Sequence, residues 1–166
     1  MTGPERQRGR SALRQIAVPL LGLVILFVGY GVYKTLTPPA TLAGAGGQLA
    51  ACPPRPSCVY SGAGEARHRI APIRVEGDPD DVWREVATAL LQMPHLERMS
   101  AEGDYMHAVF VSPIVRYRDD LELKLRSDGE IAVRSASRFG YYDFDVNRER
   151  VERLRARVRQ AGGSAG

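Results

Sequence analysis

Asp120-Leu-Glu-Leu-Lys-Leu-Arg126, followed by Ser127-Asp128-Gly129 and Glu130-Ile-Ala-Val-Arg134, is the stretch that decides the fold. Strict alternation puts Leu121, Leu123 and Leu125 on one face, as in a strand with one side buried. The turn fixes what they meet. A two-residue Asp-Gly turn would set Leu123 beside Arg134, a poor neighbour for a buried leucine. A three-residue turn over Ser127-Asp128-Gly129, with Gly129 left-handed, pairs Leu125 with Ile131 and Leu123 with Val133. The same register sets Glu122 opposite Arg134 and Arg126 opposite Glu130, so both faces of the hairpin become complementary. It also puts Arg138 diagonal to Asp120.

Working outward toward the N-terminus, Tyr105–Ser112 reads as a strand apolar on both faces, which suits an interior position in a sheet. Leu96–Ala101 reads as its partner, with Gly103-Asp104 as the turn between them. Asp78-Pro79-Asp80-Asp81 is a helix start, with Asp78 as N-cap, proline in the first turn and carboxylates at the positive helix end. The helix runs to about Gln92, with Val82, Trp83, Val86, Leu90 and Leu91 as its apolar stripe, and Pro94 limits continuation. His68–Val75 reads as a further strand through Ile70, Ile73 and Val75. Toward the C-terminus, a last helix begins at Asn147 as its cap and carries Val151, Leu154 and Val158 on one side. Strand, helix, four strands and helix make an α+β domain: an antiparallel sheet of about five strands with two helices packed on one face.

Before this domain lies one apolar run, Ile16–Tyr33, 18 residues without a charge. As a helix it spans roughly 27 Å, close to the hydrocarbon thickness of a bilayer. Four arginines (Arg6, Arg8, Arg10 and Arg14) precede it, and Tyr30 and Tyr33 stand at its far end, where an aromatic belt would sit. This predicts a single-pass signal anchor in the cytoplasmic membrane, N-terminus inside, with the globular domain outside the cytoplasm in the periplasm. Two alternatives remain. A cleaved signal peptide would use the small residues Ala43-Gly44-Ala45, and a lipoprotein would use Leu49-Ala50-Ala51-Cys52, although both sit far beyond the apolar run.

The chain therefore divides into a basic tail at 1–15, an anchor at 16–34, a linker at 35–64 rich in Pro, Gly and Ala, a domain at 65–160 and a flexible tail at 161–166. The charge follows this division. The formal net charge is +4, from 23 basic and 19 acidic side chains. Five of the basic groups and one acid, Glu5, lie before Thr35, which leaves 18 of each sign beyond. The excess thus marks the ends of a membrane span, and a nucleic-acid partner loses its support. The last helix is locally basic, with six arginines from Arg148 to Arg159 against Glu149 and Glu152. It either docks by its apolar stripe with a solvated basic face, or meets anionic headgroups.

The linker ends in Cys52-Pro-Pro-Arg-Pro-Ser-Cys58. Outside the cytoplasm this pair can form a small disulfide loop, while free thiols remain the alternative. Two thiols and three scattered histidines are a poor set for a metal, and no cofactor is implied. Arg134-Ser-Ala-Ser-Arg-Phe-Gly-Tyr-Tyr-Asp-Phe-Asp-Val-Asn147 mixes polar and aromatic groups in an unusual way. Arg134, Arg138 and Arg148, helped by Ser135, Ser137, Asp143 and Asn147, have the chemistry to hold a phosphate or carboxylate ligand. The alternative is structural, with the arginines paired to carboxylates such as Glu122 and Asp120, and with Asp143 and Asn147 organising the turn. Ser135, Ser137, His68, His107 and Asp143 supply residue types for nucleophilic catalysis, but no elbow signature joins them.

The run from Arg134 to Arg155, with Cys52–Cys58 upstream and Asp119-Asp120 between, resembles the bacterial and plant family called domain of unknown function 1499. The resemblance covers roughly Cys52 to Arg159. The family pattern has asparagine where Ser57 stands, serine where Tyr60 stands and glycine where Asp145 stands. It carries over no reaction and no ligand. The reading is then a membrane-anchored, non-catalytic domain that binds a small amphipathic ligand or an envelope partner. The first alternative is a hydrolase of envelope lipid or glycan; the second is a purely structural envelope protein. Binding predicts a closed apolar cavity between sheet and helices, a hydrolase a serine meeting a histidine, and a structural protein an exposed apolar patch.

Overall fold

The computed structural model describes residues 4–44, 46–74 and 77–162. Residues 1–3 of the basic tail, Ala45, Val75, Glu76 and residues 163–166 lie outside that set. The chain forms two compact units, residues 1–37 and residues 38–166. The first is one helix, α1 (Pro4–Leu36). Its stretch Arg14–Leu36, 23 residues, is long and apolar enough to cross a membrane. Ile16, Leu20, Leu23, Phe27 and Tyr33 all stand exposed on it, a surface that water does not stabilise.

The second unit is α+β. Five strands, β1 (Cys58–Tyr60), β2 (Leu96–Glu102), β3 (Tyr105–Val111), β4 (Arg118–Leu125) and β5 (Ile131–Ser137), form one antiparallel sheet in the order β1-β5-β4-β3-β2. The β4–β5 hairpin has the three-residue register: Leu125 pairs with Ile131, Leu123 with Val133 and Glu122 with Arg134. Arg126 and Glu130 close the turn, and Gly129 adopts φ +79°, where a side chain would be strained. β3 lies inside the sheet, between β4 and β2. Gly103, at φ +56°, makes the β2–β3 turn.

Two helices cover one face, α2 (Pro79–Leu91) and α3 (Val146–Gly162). Asp78 caps α2 by accepting from Asp80 N at 3.0 Å and Asp81 N at 3.3 Å. Val82, Val86 and Leu90 of α2 and Val151, Leu154 and Val158 of α3 join Phe110, Leu121, Leu123, Ile131 and Val133 in one buried core. Leu91 departs from the expected stripe: it is exposed, and Ala89 is buried in its place. A helix advances 100° per residue, so Val82, Val86, Ala89 and Leu90 share the sheet-facing side that Leu91 has just passed.

Two expectations about strands need correction. Among the described residues of the segment expected as the strand His68–Val75, of which Val75 lies outside the described set, there is no strand; Arg69 and Ile73 form isolated bridges, to Tyr60 and Ile131. Pro72 between them has no N–H to give a ladder. The fifth strand is instead β1, inside the segment read as linker, paired with β5 through Cys58–Ala136, Val59–Ser135 and Tyr60–Arg134. The linker also packs further upstream. Leu49 is buried with Tyr105 and Ala132, and Ala43 and Tyr60 rest against them, on the sheet face away from the helices. Residues 43, 44 and 46–57 thus form a strap over that face.

Candidate functional site

Alternation along β4 and β5 sends the polar residues of the motif to opposite faces of the sheet. Beneath the strap lie Glu122, Arg134, Asp120 and Arg138, all buried. Arg134 Nη1 donates to Glu122 Oε2 at 2.8 Å, and the other oxygen, Oε1, accepts from Tyr105 Oη at 2.9 Å and Ala43 N at 2.8 Å. Arg138 holds Asp120 bidentately, Nε to Oδ2 and Nη2 to Oδ1, both at 2.8 Å. His107 Nε2 donates to the same Oδ1 at 2.8 Å. Burial works to raise the Asp120 carboxyl, but the hydrogen bonds and charges of Arg138 and His107 prevail and hold it below its usual value. Burial, and then the Glu122 charge, push the Tyr105 phenol well above its ordinary value, so it stays a neutral donor.

On the helix face the motif makes a second node, around Asn147. Ser135 Oγ donates to Asn147 Oδ1 at 2.6 Å. Asn147 Nδ2 donates to Asp143 Oδ2 at 2.7 Å, Ser137 Oγ at 3.0 Å and Ser57 O at 3.3 Å. Asn147 therefore lies inside the first turn of α3 and does not cap it. Asp143 takes the capping part by accepting from Asn147 N at 3.1 Å, while Asp145 O accepts the first helical N–H, from Glu149, at 2.9 Å. Phe144 and Asp145 enter the helix at φ 55° and 62°, a left-handed pair that explains why glycine suits position 145.

Arg150, absent from the sequence-derived candidates, completes this node. Its Nη1 donates to Asn147 Oδ1 at 2.6 Å and Ser135 Oγ at 3.2 Å, its Nη2 donates to Asp119 Oδ2 at 2.6 Å, and its guanidinium lies 4.7 Å from the Phe110 ring centre. A helical signal was present. Asn147 and Arg150 precede Val151 and Leu154 by four residues each, so they share the stripe that faces the sheet.

The seven candidates thus separate. Ser135, Ser137, Asp143 and Asn147 form one node; Arg134 and Arg138 lie on the other face of the sheet. Arg148 stands apart, donating to the carbonyls of Arg69 at 2.8 Å and Arg67 at 2.9 Å. Cys52 and Cys58 are joined in a disulfide, so the Cys52 sulfur is not open to a lipid. Above them, Arg55 donates to Ser137 O at 2.7 Å and Gly140 O at 3.1 Å, fastening the strap to the end of β5. Among the described residues no hydrogen bond joins a serine hydroxyl to a histidine ring. His68 Nδ1 donates to Cys58 O at 2.9 Å, and His107 is held by Asp120.

The cavity expected between sheet and helices is instead filled by the core, and an open cleft of 290 Å³ lies at one end of the domain. Met93, Phe110, Val111 and Val146 give it apolar walls; His95, Glu149, Arg150 and Arg153 stand around it. The Asn147 node fixes Arg150, and Arg150 fixes the Phe110 side of this cleft. Larger clefts of 530, 580 and 700 Å³ are lined mainly by charged and polar side chains. Beside the apolar cleft, Ile114, Val115, Tyr141, Tyr142 and Phe144 are exposed.

With this geometry in place, the sequence profile of the family described as "Protein of unknown function (DUF1499)" matches residues 48–158. The chain belongs to this family. The match begins beside Leu49, where the strap enters the core, and ends at Val158 of α3, so the part of the strap from Gln48 onward is within the family's sequence. No curated protein shows significant similarity to the chain.

Proposed function

We propose that the protein is a single-pass anchor protein of the cytoplasmic membrane whose DUF1499 domain lies outside the cytoplasm and binds a small amphipathic ligand without catalysing a reaction on it. The carrying observation is the 290 Å³ cleft, with Met93, Phe110, Val111 and Val146 for an apolar tail and His95, Glu149 and Arg153 for a polar head. The anchor half is supported by the exposed apolar surface of Arg14–Leu36 and by the arginines before it. The Cys52–Cys58 disulfide fits an oxidising compartment. The non-catalytic half draws on the separate engagement of the serines by Asn147 and of the histidines by Cys58 O and Asp120. A second reading, a structural envelope protein, is favoured by the exposed Ile114, Tyr141 and Phe144.

Native mass spectrometry of the full-length protein, extracted from its host membrane in mild detergent, tests the ligand. The expected result is an adduct of lipid-like mass that Val146→Asp and Pro113→Asp remove, at unchanged thermal stability. An adduct-free chain, or adducts indifferent to both substitutions, overturns the cleft as a binding site.

A further inference from the structure

The β3–β4 and β5–α3 loops lie together at the end of the domain that holds the cleft. Tyr117 and Phe139 pack edge to face with centres 5.7 Å apart, and Arg138 N donates to Arg118 O at 3.0 Å. From this joined base Ile114, Val115, Tyr141, Tyr142, Phe144 and Val146 project, with exposures of 89, 57, 70, 52, 80 and 44%. Tyr142 and Phe144 pack edge to face at 5.2 Å, each ring holding the other outward. Six neighbouring apolar side chains of this size form more than the scattered exposure of an ordinary surface.

We propose that this loop cluster rests in the interfacial layer of the same bilayer that anchors α1, with the cleft opening at the membrane surface. The proposal rests on the anchor reading and adds the source of the ligand: an amphipathic molecule entering from the lipid. Chain length carries the choice of occupant. α1 ends at Leu36, and the strap is fixed to the sheet by Ala43 N on Glu122. Residues 37–42 between them let Leu36 and Ala43 stand ~25 Å apart at most. Glu122 stands four positions along β4 from Arg118, whose end of the strand bears the loop cluster, which is ~13 Å at strand spacing. A bilayer held that close is present at high effective concentration, so even weak insertion is populated without any further partner. Tyrosine and phenylalanine with Ile114 and Val115 suit the headgroup boundary, where ring bodies are buried and hydroxyls stay wet. Arg116 and Asp145, both exposed and of opposite charge, flank the cluster, so insertion is apolar in origin and insensitive to salt.

The test uses the full-length chain reconstituted in phosphatidylcholine vesicles with and without a doxyl-labelled phosphatidylcholine quencher. Trp83, the single tryptophan, donates to Gly103 O at the opposite end of the sheet and serves as the reference. In a Trp83→Phe, Phe144→Trp chain the new indole is expected to be quenched about threefold more than Trp83 in the unmodified chain, in 1 M salt as in low salt. Adding Ile114→Asp should return quenching to the reference level. If removal of Trp83 prevents folding, Tyr142→Trp with Trp83 retained gives the same readout by difference. A chain that floats with the vesicles but leaves the new indole unquenched overturns the proposal and leaves the anchor standing. A blue shift that grows with protein density without lipid quenching makes a second copy the occupant, and also overturns it. A chain that does not float removes the anchor reading and the proposal together.

Discussion

Asp120 takes one hydrogen bond from His107 and two from Arg138 in a site that excludes water, so its charge is stabilised only by those partners. Removing the Asp120 charge takes that compensation from the buried Arg138 guanidinium, and breaking a buried pair from one side costs about 3–5 kcal/mol. Asp120→Asn should therefore lower stability by about that amount at neutral pH, measured by urea unfolding of the full-length protein in detergent with Trp83 fluorescence. The pH dependence carries a sign. The Asp120 carboxyl titrates lower in the folded chain than in the unfolded one, where its pKa is about 3.9. Its contribution is thus complete above that value and is lost as pH falls through the folded pKa. Asp120→Asn should flatten this acid limb; a variant with the same stability and the same acid limb would refute the ion-pair account. The Glu122–Arg134 and Asp120–Arg138 relations were legible in the hairpin register, because cross-strand neighbours follow from one turn length. Arg150–Asp119 was not, because it joins a helix to a strand and depends on how α3 crosses the sheet.

At the scale of elements, alternation identified the β4–β5 hairpin and the cap residues identified α2. β1 was hidden because three residues, Cys58-Val-Tyr60, carry too little pattern and lie in a proline-rich segment. Its place is fixed by pairing with β5, by Arg55 on Ser137 O and by the disulfide. A bridge over so short a loop stabilises by about 2 kcal/mol in the chain-entropy account. The Cys52→Ala, Cys58→Ala chain should lose about that much, and hydrogen exchange should quicken at Val59 and Tyr60 before it quickens at Leu123 or Val133. Equal exchange across β1 and the central strands after the substitution would contradict the view that the disulfide holds this edge. The Asn147 cap was misplaced for a related reason: Asp143 and Asn147 both suit a helix start, and only the left-handed Phe144-Asp145 turn assigns the capping part to Asp143.

At the scale of the whole molecule, the α+β class and the apolar N-terminal helix were readable because each rests on a long periodic or uniform pattern. The strap was not, since that stretch shows no periodicity and the burial of Leu49 depends on Tyr105 and Ala132, which stand in strands much later in the chain. The cleft and its exposed rim escaped as well, because they arise where three connections, around Pro94, Pro113 and Val146, meet at one end of the sheet. The central claim is that an uncleaved apolar helix holds this domain at the outer face of the membrane. It is tested most directly by the activity of an alkaline phosphatase fused after Gly162, assayed in carbonate-washed membranes and sized by immunoblot. The account predicts full activity in the membrane fraction on a chain that still contains residues 1–34. An inactive fusion, or activity released on a fragment that has lost those residues, would contradict it.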